Sequence, residues 1–212
     1  MLTKKTLHNI TVSRPAPTAP RYRKRLSSRP GADDSVRKAI LELGCGNRKL
    51  YPDSVGVDIC PTSAADLTHD LNTYPYPFED NSFDLVVCMH VLEHLDDVVR
   101  TVTEIHRVLR PGGMLHVEVP HFSSFHAFSD PTHKHFFSSK SFDYFFEGTP
   151  VSEFDYSNAR FVLRRRELMV GGSGLVRGLM RRWINSHLDF YEKHIAFLMP
   201  RHTLVFDLQA VK

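Results

Sequence analysis

Short apolar runs alternate with polar segments along the middle of this chain. Ala39–Leu43 and Val55–Ile59 are the first two runs, and Phe83–Met89 is the third and most hydrophobic. A continuous apolar run of this length is typical of a strand covered on both faces of a sheet. Residues 97–109 instead carry apolar side chains at helical spacing, and we expect Pro-Gly-Gly at 111–113 to end that helix.

The pattern continues with another strand and then changes. Met114–Val119 is the next predicted strand, and strands separated by crossovers imply a mostly parallel sheet with its ligand at the carboxyl ends of the strands. Phe161–Met169 and Leu204–Val211 are long enough for strands, and we expect them to pair as an antiparallel hairpin at the sheet edge. Residues 175–198, between them, carry a helical apolar stripe. The pattern therefore predicts an α/β domain.

Composition narrows the class of protein. With 212 residues, 42% hydrophobic and 24% charged, the chain is typical of one soluble globular domain. It has no apolar run of about 18 residues, so we expect no membrane span. A net charge of +3 is too small to favour nucleic acid as a partner. Three cysteines without paired spacing, Cys45, Cys60 and Cys88, indicate reduced buried thiols and a cytoplasmic protein.

Residues 1–34 differ from the rest of the chain. They are rich in Pro, Ser, Thr and Arg and have no apolar period, so we predict a flexible basic arm before a domain at 35–212. Such an arm can dock on phosphate or an acidic surface, or it can be a solvated tail, which is the interpretation we favour.

A glycine turn follows the first predicted strand. Glu42 precedes Gly44, Cys45 and Gly46, and glycine lets the backbone turn tightly and approach a ligand closely. A dinucleotide-binding Gly-x-Gly-x-x-Gly motif would need a third glycine where Lys49 stands, and no Gly-Lys-Ser/Thr phosphate loop is present. The turn is therefore not predicted to bind a pyrophosphate.

Two carboxylates come next in the chain. Asp58 ends the second strand, where it can accept hydrogen bonds from both hydroxyls of a ribose. Asp70 can accept from an adenine amino group, with Leu71 over the ring. Together with FDLVVCMHVLEHL at 83–95 and LRPGGMLHVEVP at 109–120, this ordered set resembles the class I S-adenosylmethionine-dependent methyltransferases. The similarity is to the small bacterial type related to ubiquinone-biosynthesis methyltransferases, and it covers about residues 39–120.

The resemblance implies a doubly wound, Rossmann-like α/β fold with a mostly parallel seven-stranded sheet and an antiparallel C-terminal hairpin. It also implies a pocket for S-adenosylmethionine, with Glu42 near the amino-acid end of the cofactor and His90 beside it. The implied cofactor-binding residues are Glu42, Gly44, Cys45, Gly46, Asp58, Ile59, Asp70, Leu71 and His90. Arg48 replaces a further glycine of the family pattern, and the interval from Gly46 to Val55 is too short for a full crossover helix. We therefore expect the first helix to be reduced to a turn.

One motif supports a different class of enzyme. His90, Glu93 and His94 match the H-x-x-E-H pattern of inverted zinc proteases. The preceding strand would place His90 at a strand end rather than in a helix, and a third zinc ligand is not evident. Some ubiquinone-type enzymes bind a divalent cation at this turn, but His90 replaces a carboxylate here, which weakens the case for magnesium. We predict no metal site.

Residues 120–150 are rich in aromatic residues and histidine, which is typical of a substrate loop or a lid that excludes water. Methyl transfer needs a base only when the acceptor is a hydroxyl or a protonated amine. His133 is our first candidate for that base and His121 the second, with His94 at the turn as a third. Each of these histidines can instead simply hydrogen-bond to loop backbone.

Three functions follow from these patterns, in order of preference. The first is methyl transfer from S-adenosylmethionine to a small-molecule or glycan-type acceptor by in-line displacement. The second is a non-catalytic cofactor-binding module, and the third is a zinc hydrolase. Arginines at 164–166 and at 177–182 can face an anionic acceptor or a membrane surface, although we favour a solvated face.

Overall fold

The computed structural model describes residues 38–151, 154 and 156–212. The predicted arm at 1–34 lies outside the described residues. Seven strands form one sheet in the order β3-β2-β1-β4-β5-β7-β6. The strands are β1 (Ile40–Leu43), β2 (Val55–Asp58), β3 (Leu67–Thr68), β4 (Phe83–Met89), β5 (Leu109–Pro120), β6 (Arg160–Leu168) and β7 (Thr203–Val211).

Strands β1 to β5 are mutually parallel, and β7 is antiparallel to both of its neighbours, β5 and β6. This arrangement confirms the predicted α/β fold class and the antiparallel strand pair at the edge. The central strands are buried on both faces: Val86 of β4 and Val117 of β5 have no exposed surface. Continuous apolar runs are what a strand needs in that position.

Four α-helices accompany the sheet in the described part of the chain. They are α1 (Val98–Val108), α2 (Phe125–Ser129), α3 (Leu175–Ser186) and α4 (Leu188–His194), with 3-10 turns at Leu92–His94 and Asp143–Phe145. The carboxylate of Asp97 accepts from the backbone N–H of Arg100 at 2.8 Å and caps α1. Its apolar stripe buries Val102 and Ile105 against the sheet. No described helix combines the length and the apolar character that crossing a membrane requires.

Two predicted boundaries are wrong. The helix ends at Val108, as expected, but the strand predicted at Met114–Val119 begins earlier, because Leu109 already pairs with Phe83 before the register resumes at Met114 with Leu85. The intervening glycines therefore form a bulge inside the strand, a place where glycine is common. The stripe at 175–198 forms two helices instead of one, since His187 leaves the helical conformation with φ −133°.

Two further features differ from the expectations. The short strand β3 was not predicted, because two residues carry no periodic signal. Cys88 is buried and Cys45 half-buried as expected, but Cys60 is exposed in the loop after β2. The interpretation of all three thiols as buried is therefore wrong for Cys60.

Candidate active site

The turn after β1 depends on Gly44. Its φ is +65°, and a Cβ atom added there would lie 2.3 Å from Cγ2 of Val91. Gly46 also has a positive φ, +60°, but an added Cβ would meet nothing within 4 Å. Gly44 is thus required both for its backbone conformation and for the close approach of the turn to the residues after β4.

A cavity of about 680 Å³ opens at the carboxyl ends of β1, β2 and β4. This is the edge where ligands bind in open parallel sheets, and the volume suits a ligand of nucleoside size. The lining residues are Gly44, Asp58, Ile59, Asp70, Leu71, Asn72, His90, Val91, His94, Leu95, Pro131, Thr132 and Lys134. Six of the nine predicted cofactor residues are among them, whereas Glu42, Cys45 and Gly46 are not.

Asp58 is held by the loops on either side of it. Its Oδ2 accepts the backbone N–H of Gly46 at 2.8 Å, and its Oδ1 accepts that of Cys60 at 2.9 Å. Each carboxylate oxygen can accept a second hydrogen bond. The side chain is therefore fixed in place while keeping one free acceptor site on each oxygen for a ligand with two adjacent hydroxyls.

Asp70 and Leu71 form the neighbouring wall of the cavity. Oδ1 of Asp70 accepts the backbone N–H of Asn72 at 2.9 Å, and Oδ2 has no hydrogen-bond partner among the described residues. The Leu71 side chain is buried, and its carbonyl oxygen accepts from the hydroxyl of Tyr76 at 3.0 Å. This wall thus offers one free acceptor beside an apolar surface, which suits the edge and face of a heterocyclic base.

Glu42 occupies a different place from the one predicted. Its carboxylate accepts from the backbone N–H groups of Leu50 and Tyr51 and from Oγ of Ser54, each at 2.6 Å. No helix forms between β1 and β2, so these turn donors need an acceptor, and Glu42 supplies it. The reduced first crossover is as predicted, but the Glu42 side chain faces that crossover and not the cavity.

Cys45 also points away from the cavity. A Cβ atom added at Gly56 of β2 would lie 2.9 Å from its Sγ, so the thiol packs against the back of the turn. Burial, followed by the nearby carboxylates of Asp58 and Glu42, raises the pKa of this thiol. Cys45 is therefore a packed neutral thiol. Only its backbone is left to make the predicted contact with the cofactor.

His90 ends β4 in an unusual conformation. Its φ is +54°, its backbone N–H donates to the Glu118 carbonyl at 2.8 Å, and its Nδ1 lies 3.3 Å from Oε1 of Glu93. Because the following turn is a 3-10 turn, His90 and His94 are not two residues on one face of an α-helix. The zinc-protease arrangement is therefore absent, and this alternative is not favoured.

The hydrogen bonds of His94 define which of its nitrogens carries a proton. The Thr132 hydroxyl donates its hydrogen to Oδ1 of Asp130 at 2.7 Å, a bond that lowers the pKa of that carboxyl. Thr132 Oγ1 can then only accept from Nδ1 of His94, at 2.9 Å. This leaves Nε2 of a neutral His94 with a free lone pair, at a position on the cavity wall.

His133 lies against His94, with ring centroids 4.6 Å apart, although it does not line the cavity itself. One nitrogen or oxygen atom from each of Glu93, His94 and His133 lies within 4.8 Å of the others. Oε2 of Glu93 is buried without a hydrogen-bond partner among the described residues. Three groups of this kind can share a proton or hold a divalent cation.

His121 does not belong to this site. It is completely buried, its Nδ1 lies 2.8 Å from Oγ of Ser123, and its Nε2 lies 3.3 Å from Oε1 of Glu192. Both ring nitrogens are engaged away from the cavity lining, so the geometry does not support its predicted role as a base. The imidazole of His121 points into the domain and contacts the carboxylate of Glu192 on α4, a residue far away in the sequence.

Glu192 gives a pH-dependent test of this packing. Burial opposes its ionisation, but hydrogen bonds from His121 and from N and Oγ of Ser139 outweigh that effect and lower its pKa. A lowered folded-state pKa stabilises the fold above the unfolded value of about 4.3, and the stabilisation is lost as the pH falls through the folded value.

We expect Glu192→Gln to lower the free energy of unfolding by about 1–2 kcal/mol near neutral pH, because charged hydrogen bonds become neutral ones. The difference from wild type should shrink below about pH 4, where Glu192 itself becomes protonated. Denaturant melts across this pH range measure both quantities. A difference that stays constant down to pH 3 would contradict the assignment of the charged hydrogen bonds.

Some residues that line the cavity were not predicted from the sequence, and most of them lie in loops. Asn72, Val91 and Thr132 line the cavity without a motif that marks them as ligand contacts. Thr132 directly precedes the candidate base His133, but its side chain contacts His94 across the fold.

The fold is Rossmann-like and carries a cavity at the carboxyl ends of its parallel strands, and comparisons with known proteins show what the chain is similar to. Residues 41–117 match the family model described as a methyltransferase domain. A probable S-adenosylmethionine-dependent methyltransferase of Mycolicibacterium smegmatis is 35% identical over 102 residues, which cover 41% of this chain and 39% of that protein. The chain thus spans about two fifths of the length of this curated relative.

Solved structures share the fold at low sequence identity. A S-adenosylmethionine-dependent methyltransferase from Archaeoglobus fulgidus has a TM-score of 0.52 at 19% identity, covering 81% of this chain and 86% of that one. The [4+2]-cyclase SpnF has a TM-score of 0.54 at 15% identity, covering 82% and 74%. Residues 41–117 thus match a methyltransferase domain, and the chain shares the fold of S-adenosylmethionine-dependent methyltransferases, in agreement with the resemblance in its motifs.

Proposed function

We propose that this protein transfers a methyl group from S-adenosylmethionine to a small-molecule or glycan-type acceptor. The observation that carries the proposal is the position of Asp58 and Asp70 on neighbouring walls of the cavity, each with a free acceptor site, beside the glycine turn. The match to a methyltransferase domain and the S-adenosylmethionine-dependent relative support the identity of the cofactor. The fold alone is not sufficient support, because a cyclase shares it.

The residues that line the cavity fit S-adenosylmethionine. Asp58 suits the two ribose hydroxyls, Asp70 and Leu71 suit the adenine, and the missing Cβ of Gly44 leaves room where the turn approaches the cavity. When bound, the cofactor supplies a sulfonium methyl group for in-line displacement, which depends on alignment and on exclusion of water. Val91 and Leu95 provide buried apolar walls that help to exclude water.

His94 is the best placed base for an acceptor hydroxyl or amine. It lines the cavity, and its hydrogen bond to Thr132 leaves Nε2 free to take a proton. Ionised Asp130, acting through Thr132, favours the neutral ring with its hydrogen on Nδ1 and stabilises the charged ring after proton transfer.

Calorimetry with S-adenosylmethionine and S-adenosylhomocysteine, combined with a labelled-methyl assay, tests the proposed function. We expect micromolar binding of both compounds and transfer of label to a component of a small-molecule extract from the source cells. Binding without transfer to any fraction would favour the non-catalytic module instead. The absence of binding would contradict both.

We expect His94→Ala to reduce the rate of methyl transfer by about 10²–10⁴-fold, the usual contribution of a general base. Affinity for S-adenosylhomocysteine should change much less, because the imidazole acts on the acceptor. The matched control is His126→Ala, which removes an exposed histidine of the same segment that does not line the cavity. Equal rates in the two variants would exclude His94 as the base.

A further inference from the structure

The connection between β6 and β7 is much longer than the strand pair needs. Adjacent antiparallel strands can be joined by a turn of about two residues, yet residues 169–202 lie between these two and contain α3 and α4. The register pairs Leu168 with Leu204 and Pro120 with Thr203. The insertion therefore leaves and rejoins the sheet at the carboxyl ends of the parallel strands, the edge where the cavity opens.

Few side chains of this insertion are fully buried in the domain. Only Ile184, Tyr191 and Ala196 are buried among residues 169–202, all of which the structure describes. Lys140 pairs with Asp189 at 2.8 Å, and the rings of Phe122 and Phe197 lie 5.5 Å apart. The insertion is thus anchored on the histidine-rich segment, and most of its own apolar side chains face outward.

The outward face is strongly apolar. Leu175, Leu179 and Trp183 follow each other at four-residue spacing on one face of α3, and Leu175 is 81% exposed. The indole of Trp183 lies 6.2 Å from the exposed ring of Phe190 on α4, and Leu198 farther along is 82% exposed. A contiguous exposed apolar surface of this kind marks an interaction site.

Unpaired positive charge surrounds this apolar surface. Arg177 and Arg182 are exposed and form no ion pair with an acidic side chain among the described residues, and Lys193 is exposed beside Asp189. The two acidic residues of the insertion, Asp189 and Glu192, are bound to Lys140 and to His121 and Ser139 instead. The rim of the surface is therefore cationic.

This charge pattern selects among the possible occupants. A second copy of the chain across a two-fold axis would bring the same arginines face to face. An anionic lipid surface complements both features, with headgroup phosphates for the arginines and acyl chains for Leu, Trp and Phe.

We propose that residues 175–199 form a docking surface for anionic lipid bilayers, with the apolar face of α3 at the level of the headgroup–acyl boundary. Docking there brings the edge of the sheet that carries the cavity close to the membrane. The surface is independent of methyl transfer, so vesicle binding is measured without cofactor and its outcome says nothing about the proposed function.

Trp183 is the only tryptophan of the chain and reports on docking directly. We expect its fluorescence to shift to shorter wavelength with vesicles that contain about one quarter phosphatidylglycerol, and at least about tenfold weaker partition into pure phosphatidylcholine. Arg182→Gln should weaken partition into the anionic vesicles about fivefold. Lys38→Gln, which removes an exposed charge just before β1 at the opposite edge of the sheet, should leave it unchanged.

Three results would overturn the proposal. The first is no fluorescence change with anionic vesicles, and the second is equal partition of wild type and Arg182→Gln. The third is a blue shift that depends on protein concentration without vesicles, which would show that a second copy covers the surface. The melting temperature of Arg182→Gln is measured as a control. If it equals that of wild type, weaker vesicle binding reflects lost docking and not unfolding.

Discussion

Asp58→Ala is expected to weaken binding of S-adenosylmethionine and S-adenosylhomocysteine by about a hundredfold or more. Hydrogen bonds to a charged group contribute about 1.5–3 kcal/mol each, and Asp58 can offer one acceptor site to each of two ribose hydroxyls. The same substitution removes the acceptor of the Gly46 N–H, so the glycine turn also loses a restraint. Calorimetry measures the affinity, and a thermal melt measures the second effect.

The matched control is Asp53→Ala. Asp53 is an exposed carboxylate in the connection between β1 and β2, and it does not line the cavity. Both variants lose one negative charge, so a difference between them reports contact with the ligand rather than net charge. Equal affinity in the two variants would refute the ribose-binding role of Asp58.

Gly44→Ala should be the most damaging single change in the turn. The added methyl group would force Val91 to move and would hold alanine at φ +65°. Backbone strain of about 1–2 kcal/mol adds to an overpacking cost of about 1–3 kcal/mol. We expect the free energy of unfolding to fall by about 2–5 kcal/mol and cofactor binding to be lost as Val91 shifts into the cavity.

Gly46→Ala separates these two contributions. Its φ of +60° imposes nearly the same strain, but the added methyl group would contact nothing within 4 Å. We therefore expect a loss of about 1–2 kcal/mol, with the hydrogen bond to Asp58 retained because the backbone N–H is unchanged. Equal losses in the two variants, measured by denaturant unfolding, would show that the contact with Val91 is relieved without cost.

The difference between these two glycines shows what sequence patterns cannot distinguish. Both stand in the same Gly-x-Gly motif and both adopt positive φ, so the motif predicts a tight turn at either position. The close approach to Val91 exists only because β1 and β4 are neighbours in the sheet. That neighbour relation joins residues far apart in the chain, and no local pattern contains it.

The sequence by itself determined six of the seven strands, the glycine turn and the two carboxylates Asp58 and Asp70. These features depend on local backbone geometry, which is set by neighbouring residues in the chain. Apolar runs form strands, glycines allow tight turns, and polar residues end strands. It also determined that the first crossover was too short for a helix, since that follows from the number of residues alone.

Only the tertiary structure decided which polar groups meet. It turned Glu42 toward the short crossover and His121 toward Glu192, and it joined Thr132 to His94. It also placed the insertion at 169–202 beside the cavity edge. The reason is that the packing of segments far apart in the chain determines which groups become neighbours. The residue type determines only which kinds of hydrogen bond a side chain can form.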